Sequence, residues 1–147
     1  MPARRARGYC AQVDPAESLI AIVDDELPVR TMLGRLLRLA DYRVSAYASG
    51  EEFLASVALQ DTPRPSCAIL DVHMPGMSGL EVQSHLRAKA VRIPIVMITA
   101  SDDIALDRAA LEAGAVGLLR KPFSNRDLLG AIDAALQHAA RIAGNAT

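Results

Sequence analysis

Cysteine is scarce in this chain, and its two cysteines are poorly placed for joint work: Cys10 falls in an N-terminal tail and Cys67 in a predicted core strand. That excludes a disulfide framework or a metal knuckle, and it fits a reducing cytoplasm. An excess of one charge is also lacking. A formal net charge of -1 implies no polyanionic partner, so no nucleic acid is expected to be contacted by this chain. No hydrophobic run approaches the length that spans a bilayer, and no membrane contact is expected. Arg4, Arg5 and Arg7 are not followed by the apolar core of a signal peptide before Asp14, Pro15 and Glu17. Residues 1–17 are therefore expected to form a mobile basic tail. Internal repeats, linkers and low-complexity tracts are absent too. What remains, at 51% hydrophobic and 22% charged over 147 residues, is a chain suited to one domain that buries about two-thirds of its unfolded surface.

Two short apolar runs end in acids. Leu19 to Val23 leads into Asp24 and Asp25, and Cys67 to Leu70 leads into Asp71, after which Pro75, Gly76 and Gly79 turn the chain out of the core. From Pro28 the apolar positions Val29, Met32, Leu33, Leu36, Leu37 and Ala40 follow helical spacing. Tyr42 to Ala48 reads as a strand and Gly50 to Leu59 as a helix. A helix from Gly79 to about Lys89 precedes a strand over Ile93 to Thr99. An alanine-rich helix from Asp103 to Ala113 stops at Gly114, and a short strand from Val116 to Leu119 ends in Arg120-Lys121-Pro122. The last helix begins at Ser124, and the domain is expected to span residues 18–140, with 141–147 as a C-terminal tail.

Five strand-helix units in strict alternation imply an α/β fold, a doubly wound parallel sheet with helices on both faces. All strand C-termini then meet at one edge, where ligands bind at the switch point. The residues brought there are Asp24, Asp25, Asp71, Thr99 and Lys121. Taken singly each has a plain explanation: an acid can cap a helix, a threonine suits a strand and a lysine suits a surface. Together they point elsewhere. Three carboxylates at one edge repel one another unless a cation sits among them, and an all-oxygen ligand set favours a hard ion such as Mg²⁺. A carboxylate is ionised at neutral pH and can act as a nucleophile without a general base. A phosphoryl group suits such a site, with the metal, an ammonium and a hydroxyl sharing its oxygens.

On Asp24-Asp25, Leu70-Asp71 with Met74-Pro75-Gly76 and Gly79, Thr99-Ala100, and Lys121-Pro122-Phe123, the chain resembles the receiver domain of two-component response regulators over about Leu19 to Ala139. The stretch Met74 to Glu81 is most similar to receivers that precede LuxR-type DNA-binding domains. The resemblance implies a flavodoxin-like fold with strand order 2-1-3-4-5 and five helices. It implies that Asp71 accepts a phosphoryl group from a sensor histidine kinase or phosphotransfer protein and assists its own phosphorylation and dephosphorylation without being an enzyme in the ordinary sense. It further implies that Asp25 binds Mg²⁺ directly, that Asp24 supports the ion through water, and that Asp71 and the backbone carbonyl of His73 are further ligands. Thr99 and Lys121 would contact the phosphoryl oxygens, and the Lys121-Pro122 peptide would be cis. Output would pass to a downstream protein target, and the face of the fourth helix, fifth strand and fifth helix would serve a homodimer.

Two features depart from the family pattern. No recognition helix or basic stripe follows Phe123, so the expectation is a stand-alone receiver signalling by protein contact, with a receiver fragment of a LuxR-type transcription factor as the alternative. Leu118 occupies the switch position where the family usually carries Tyr or Phe, in a chain only 3% aromatic. A phosphotransferase of haloacid-dehalogenase type also uses a strand-end aspartate with Mg²⁺, but it needs a second acid two residues later, where this chain has His73. The side chain of His73 either tunes hydrolysis of the acyl phosphate or faces solvent. His85 and His138 are expected on the surface.

Overall fold

Alternation within the strands explains the layering. In the computed structural model, which describes residues 14–59, 63–100 and 102–145, Ile20 and Ile22 of β1 (Leu19–Val23) join one apolar cluster and Ala21 and Val23 the other. The same split holds in β3 (Cys67–Asp71) and β4 (Ile95–Thr99), all of whose residues are buried. Strands buried on both faces must be covered on both. The clusters are completed by α1 (Leu27–Leu39) and α5 (Asn125–Asn145) on one side, and by α2 (Gly50–Ala58), α3 (Gly79–Ala88) and α4 (Ile104–Glu112) on the other. With β2 (Arg43–Tyr47) and β5 (Gly117–Arg120) at the edges, the parallel sheet runs β2-β1-β3-β4-β5.

Local sequence sets most boundaries. Ser49, Ser78 and Asp103 cap α2, α3 and α4 by accepting backbone N–H bonds, and Ser78 with Glu81 forms a reciprocal capping box. Ser124 accepts from the Asp127 amide at the start of α5. Gly114 follows α4 with φ +108°, a left-handed position that favours glycine. β4 starts two residues later than its apolar run suggests, because Pro94 has no amide to donate; its carbonyl still accepts from Ala68.

Within the described residues, secondary structure begins at Pro15 and ends at Asn145. Pro15–Glu17 form a 3₁₀ turn closed by Asp14, which accepts from the Ala16 amide, and Ser18 is buried. α5 continues to Asn145, since Ala139, Ala140, Arg141 and Ala143 are strong helix formers and nothing stops the helix before Gly144. The three tail arginines and Cys10 lie outside the described residues. Among the described residues no helix is long and apolar enough to cross a membrane.

Candidate functional site

The β1 and β3 strands deliver acids to neighbouring points of the C-terminal edge because they pair in register, Val23 beside Leu70, and each continues one residue into a carboxylate. Asp24 is 2% exposed and Asp71 5%, whereas Asp25 is exposed. One carboxylate oxygen from each of Asp24, Asp25 and Asp71 lies within 4.8 Å of the others. Backbone amides fix two of them: Asp24 Oδ1 accepts from the Glu26 amide at 2.8 Å, and Asp71 Oδ1 accepts from the His73 amide at 3.0 Å. The second oxygens point at a cation. Lys121 Nζ stands 3.4 Å from Asp71 Oδ2, 3.6 Å from Asp24 Oδ2 and 3.8 Å from Glu26 Oε1.

β5 and the turn after it carry that lysine. Thr99 pairs with Arg120 across β4 and β5, and the Thr99 carbonyl accepts from the Lys121 amide at 2.7 Å; the Lys121-Pro122 peptide is cis. Thr99 is fully buried, one residue beyond the Ile98 that pairs with Asp71. Behind Asp71 the chain turns through Gly76, with φ +79°, and comes back so closely that a Cβ on Gly79 would sit 2.5 Å from the Asp71 carbonyl oxygen. Glycine at 79 is therefore a steric requirement of the mount that holds the acid.

The electrostatics follow from burial. Loss of solvent, aided by the neighbouring Asp24 carboxylate, pushes Asp71 from its ordinary 3.8 up to about 6, against the His73 amide and the Lys121 ammonium, which favour the charged form. Burial works against the Lys121 ammonium, but Asp71 and Asp24 outweigh it and hold the lysine above its usual value. Asp24 Oδ2 is buried without a hydrogen-bond donor. A buried, underserved oxygen among three carboxylates fits a small hard cation, and the all-oxygen donor set fits Mg²⁺ rather than a soft metal. Cys67 adds nothing here, since burial pushes its thiol up to about 12.

The structure thus brings Asp24, Asp25, Asp71 and Lys121 together and sets Thr99 on the same edge. The His73 amide holds Asp71 while its residue is exposed, and His85 and His138 are exposed on α3 and α5. Two nearby residues escaped the sequence reading. Glu26 reaches Lys121, and Arg30 Nη1 donates to the Asp24 carbonyl at 2.7 Å. Glu26 directly follows the acidic pair and could have been suspected; a contact from one turn inside α1 back to a strand-end carbonyl has no sequence signal.

A doubly wound sheet in this strand order, with acids and a lysine converging at its switch point, is the architecture of a receiver domain. Comparison with known proteins makes the assignment: the profile of the response regulator receiver domain matches residues 20–133, and the chain belongs to that family. It is 42% identical over 130 residues to response regulator protein TmoT of Ectopseudomonas mendocina, covering 88% of this chain and 58% of that protein. It is 35% identical to transcriptional regulatory protein FixJ of Rhizobium meliloti, covering 81% of this chain and 57% of FixJ. Among solved structures, FixJ-N superposes with a TM-score of 0.76 at 35% identity, covering 83% of this chain and 95% of that one. Chemotaxis protein CheY4 of Vibrio cholerae superposes with a TM-score of 0.73 at 32% identity, covering 81% and 98%. The chain spans little more than half the length of the full-length relatives it matches.

Proposed function

We propose that this receiver is phosphorylated on Asp71 by a sensor histidine kinase or phosphotransfer protein and passes the signal to a protein target. In the transfer an Asp71 carboxylate oxygen forms the new O–P bond, the N–P bond of the donor phosphohistidine breaks, and the departing imidazole takes up a proton. The His73 amide fixes the plane of the carboxylate before attack, so little orientation remains to be lost. Lys121 neutralises charge on a phosphoryl oxygen and Thr99 supplies a hydroxyl to another. Asp25 would hold Mg²⁺ directly and Asp24 through water, with Asp71 and the His73 carbonyl as the further protein ligands. Mg²⁺, when bound, draws charge from the phosphoryl oxygens. The same groups serve hydrolysis of the acyl phosphate. The chemistry suits the cytoplasm, where kinase and Mg²⁺ are available.

The observation carrying this reading is the 3.4 Å approach of Lys121 to Asp71 beside two further carboxylates. A small-molecule phosphodonor with Mg²⁺ should add one phosphoryl group by intact mass to the parent and none to Asp71→Asn. An unchanged adduct in that variant would overturn the assignment of Asp71.

A second reading has its own support, since the chain spans 57% of FixJ, a protein named as a transcriptional regulator. In that case the same receiver serves as the phosphorylated part of a transcription factor, and dimerisation through α4, β5 and α5 would convey its state. In either reading Leu118, half-buried and paired with Met97, lacks the ring and hydroxyl that would report on Thr99, so coupling between phosphate and this face is weak.

A further inference from the structure

The start of α1 is held differently from the starts of the other four helices. Ser49, Ser78, Asp103 and Ser124 each accept a backbone N–H at the start of α2 to α5, but the residue before α1, Glu26, makes no side-chain cap bond. In place of a cap, two bonds converge on Asp24. The Glu26 amide donates to its Oδ1 at 2.8 Å, and Arg30, from within α1, donates through Nη1 to its carbonyl at 2.7 Å. The Asp24 amide in turn donates to the Tyr47 carbonyl at 3.2 Å. Asp24 is thereby gripped through its amide, its carbonyl and one carboxylate oxygen, leaving Oδ2 to face Lys121.

We propose that Arg30 is a positioning residue for the metal site: its bond to the Asp24 carbonyl fixes the β1–α1 connection so that Asp24 and Asp25 present their carboxylates to the same point as Asp71. The inference rests on the reading of this cluster as a Mg²⁺ site. Asp25 depends on the grip most, because it is exposed and lies between the two residues that the bonds tie down. A hydrogen bond from a charged donor to a buried acceptor is among the stronger ones, and its removal leaves the acceptor underserved.

The alternative role for Arg30 is simply that of a nearby positive charge, and the two roles predict opposite signs. If it acts only by charge, removing it leaves the carboxylate cluster more negative and strengthens Mg²⁺ binding. If it positions, removal weakens binding. Calorimetric titration of the full chain with Mg²⁺, without any phosphodonor, should give an affinity about tenfold lower for Arg30→Met, equivalent to about 1.4 kcal/mol. Arg30→Lys keeps the charge but loses the planar fork and its reach, so it should lose several-fold as well. Both variants should show faster amide exchange at residues 24–27 in metal-free protein, and Arg30→Lys supplies the test should Arg30→Met fold poorly. Equal or tighter Mg²⁺ binding in both variants would overturn the role of Arg30 while leaving the metal site intact. A parent chain that binds no Mg²⁺ would overturn the metal reading and this inference with it.

Discussion

At the C-terminal edge of the sheet, the β1–β3 side and the β4–β5 side are held by different means. On the first side, Asp24 and Asp71 are buried, each has an oxygen fixed by a backbone amide, and Gly79 lets α3 press against the Asp71 carbonyl. On the second, Arg120 ties β5 to Asp107 of α4 and, at 3.7 Å, to Asp102, whose side chain is 97% exposed. α4 buries one residue, Ala110, and carries Ile104 and Leu111 in solvent. Bonds to backbone within a packed core keep one geometry, whereas a pair as open as Arg120 with Asp102 is screened and cheap to rearrange. One edge therefore combines a fixed half that carries the acids with a more yielding half beyond Thr99, where β5 meets α4.

The largest effects should come from breaking the fixed half. Asp25→Ala should lower Mg²⁺ affinity and phosphate uptake together, each by about tenfold or more, while Thr99→Ala should keep Mg²⁺ affinity within about twofold, because the proposed function gives its hydroxyl to phosphate rather than to the metal. Titration calorimetry beside intact-mass kinetics separates the two, and parental Mg²⁺ affinity in Asp25→Ala would show the metal site misplaced.

Next in size, Gly79→Ala drives a methyl group into the Asp71 carbonyl and should destabilise the fold by about 1–3 kcal/mol, the usual range for overpacking. Urea unfolding measures this, and an unchanged midpoint would mean that the turn relaxes freely.

Asp71 itself should behave as a buried acid that opposes folding once charged. Its carboxyl rises from 3.8 to about 6 in the folded chain, so the folded form holds the proton more tightly. The stability this contributes is fully present below pH 3.8 and is lost as the pH rises through about 6. Asp71→Asn should accordingly be more stable than the parent at pH 8, by about 1–2 kcal/mol, with the difference fading towards pH 4. Thermal melts across that range in metal-free buffer test the sign. Smallest of all, Arg120→Ala should cost about 1 kcal/mol, since Arg120 is half-exposed and its Asp102 partner stands in solvent, the half-buried Asp107 carboxylate supplying most of that cost. A greater loss in urea unfolding would place the yielding half among the rigid parts of the molecule.

Much of this division was legible in the sequence. Apolar runs ending in Asp24 and Asp71, and the spacing of glycines after the second, specify both the strands and the edge where their acids emerge, because a parallel sheet aligns every strand end. Boundaries were less legible where two signals compete: Ile93 belongs to an apolar run, but Pro94 delays the ladder. Contacts that depend on side-chain reach left no pattern. The Arg30 bond and the Arg120 pairs are set by the angle at which a helix docks, which spacing along one chain does not encode.

The most direct test of a fixed half and a yielding half is amide exchange of the chain with and without phosphate on Asp71, repeated for Leu118→Tyr. Parent and variant should accept phosphate at rates within about tenfold, a barrier difference of about 1.4 kcal/mol or less. On phosphorylation, exchange should change mainly across residues 102–121, more strongly in the tyrosine variant, while residues 19–24 and 67–71 hold their protection. Changes concentrated in β1 and β3, or an identical response from parent and variant, would contradict the account.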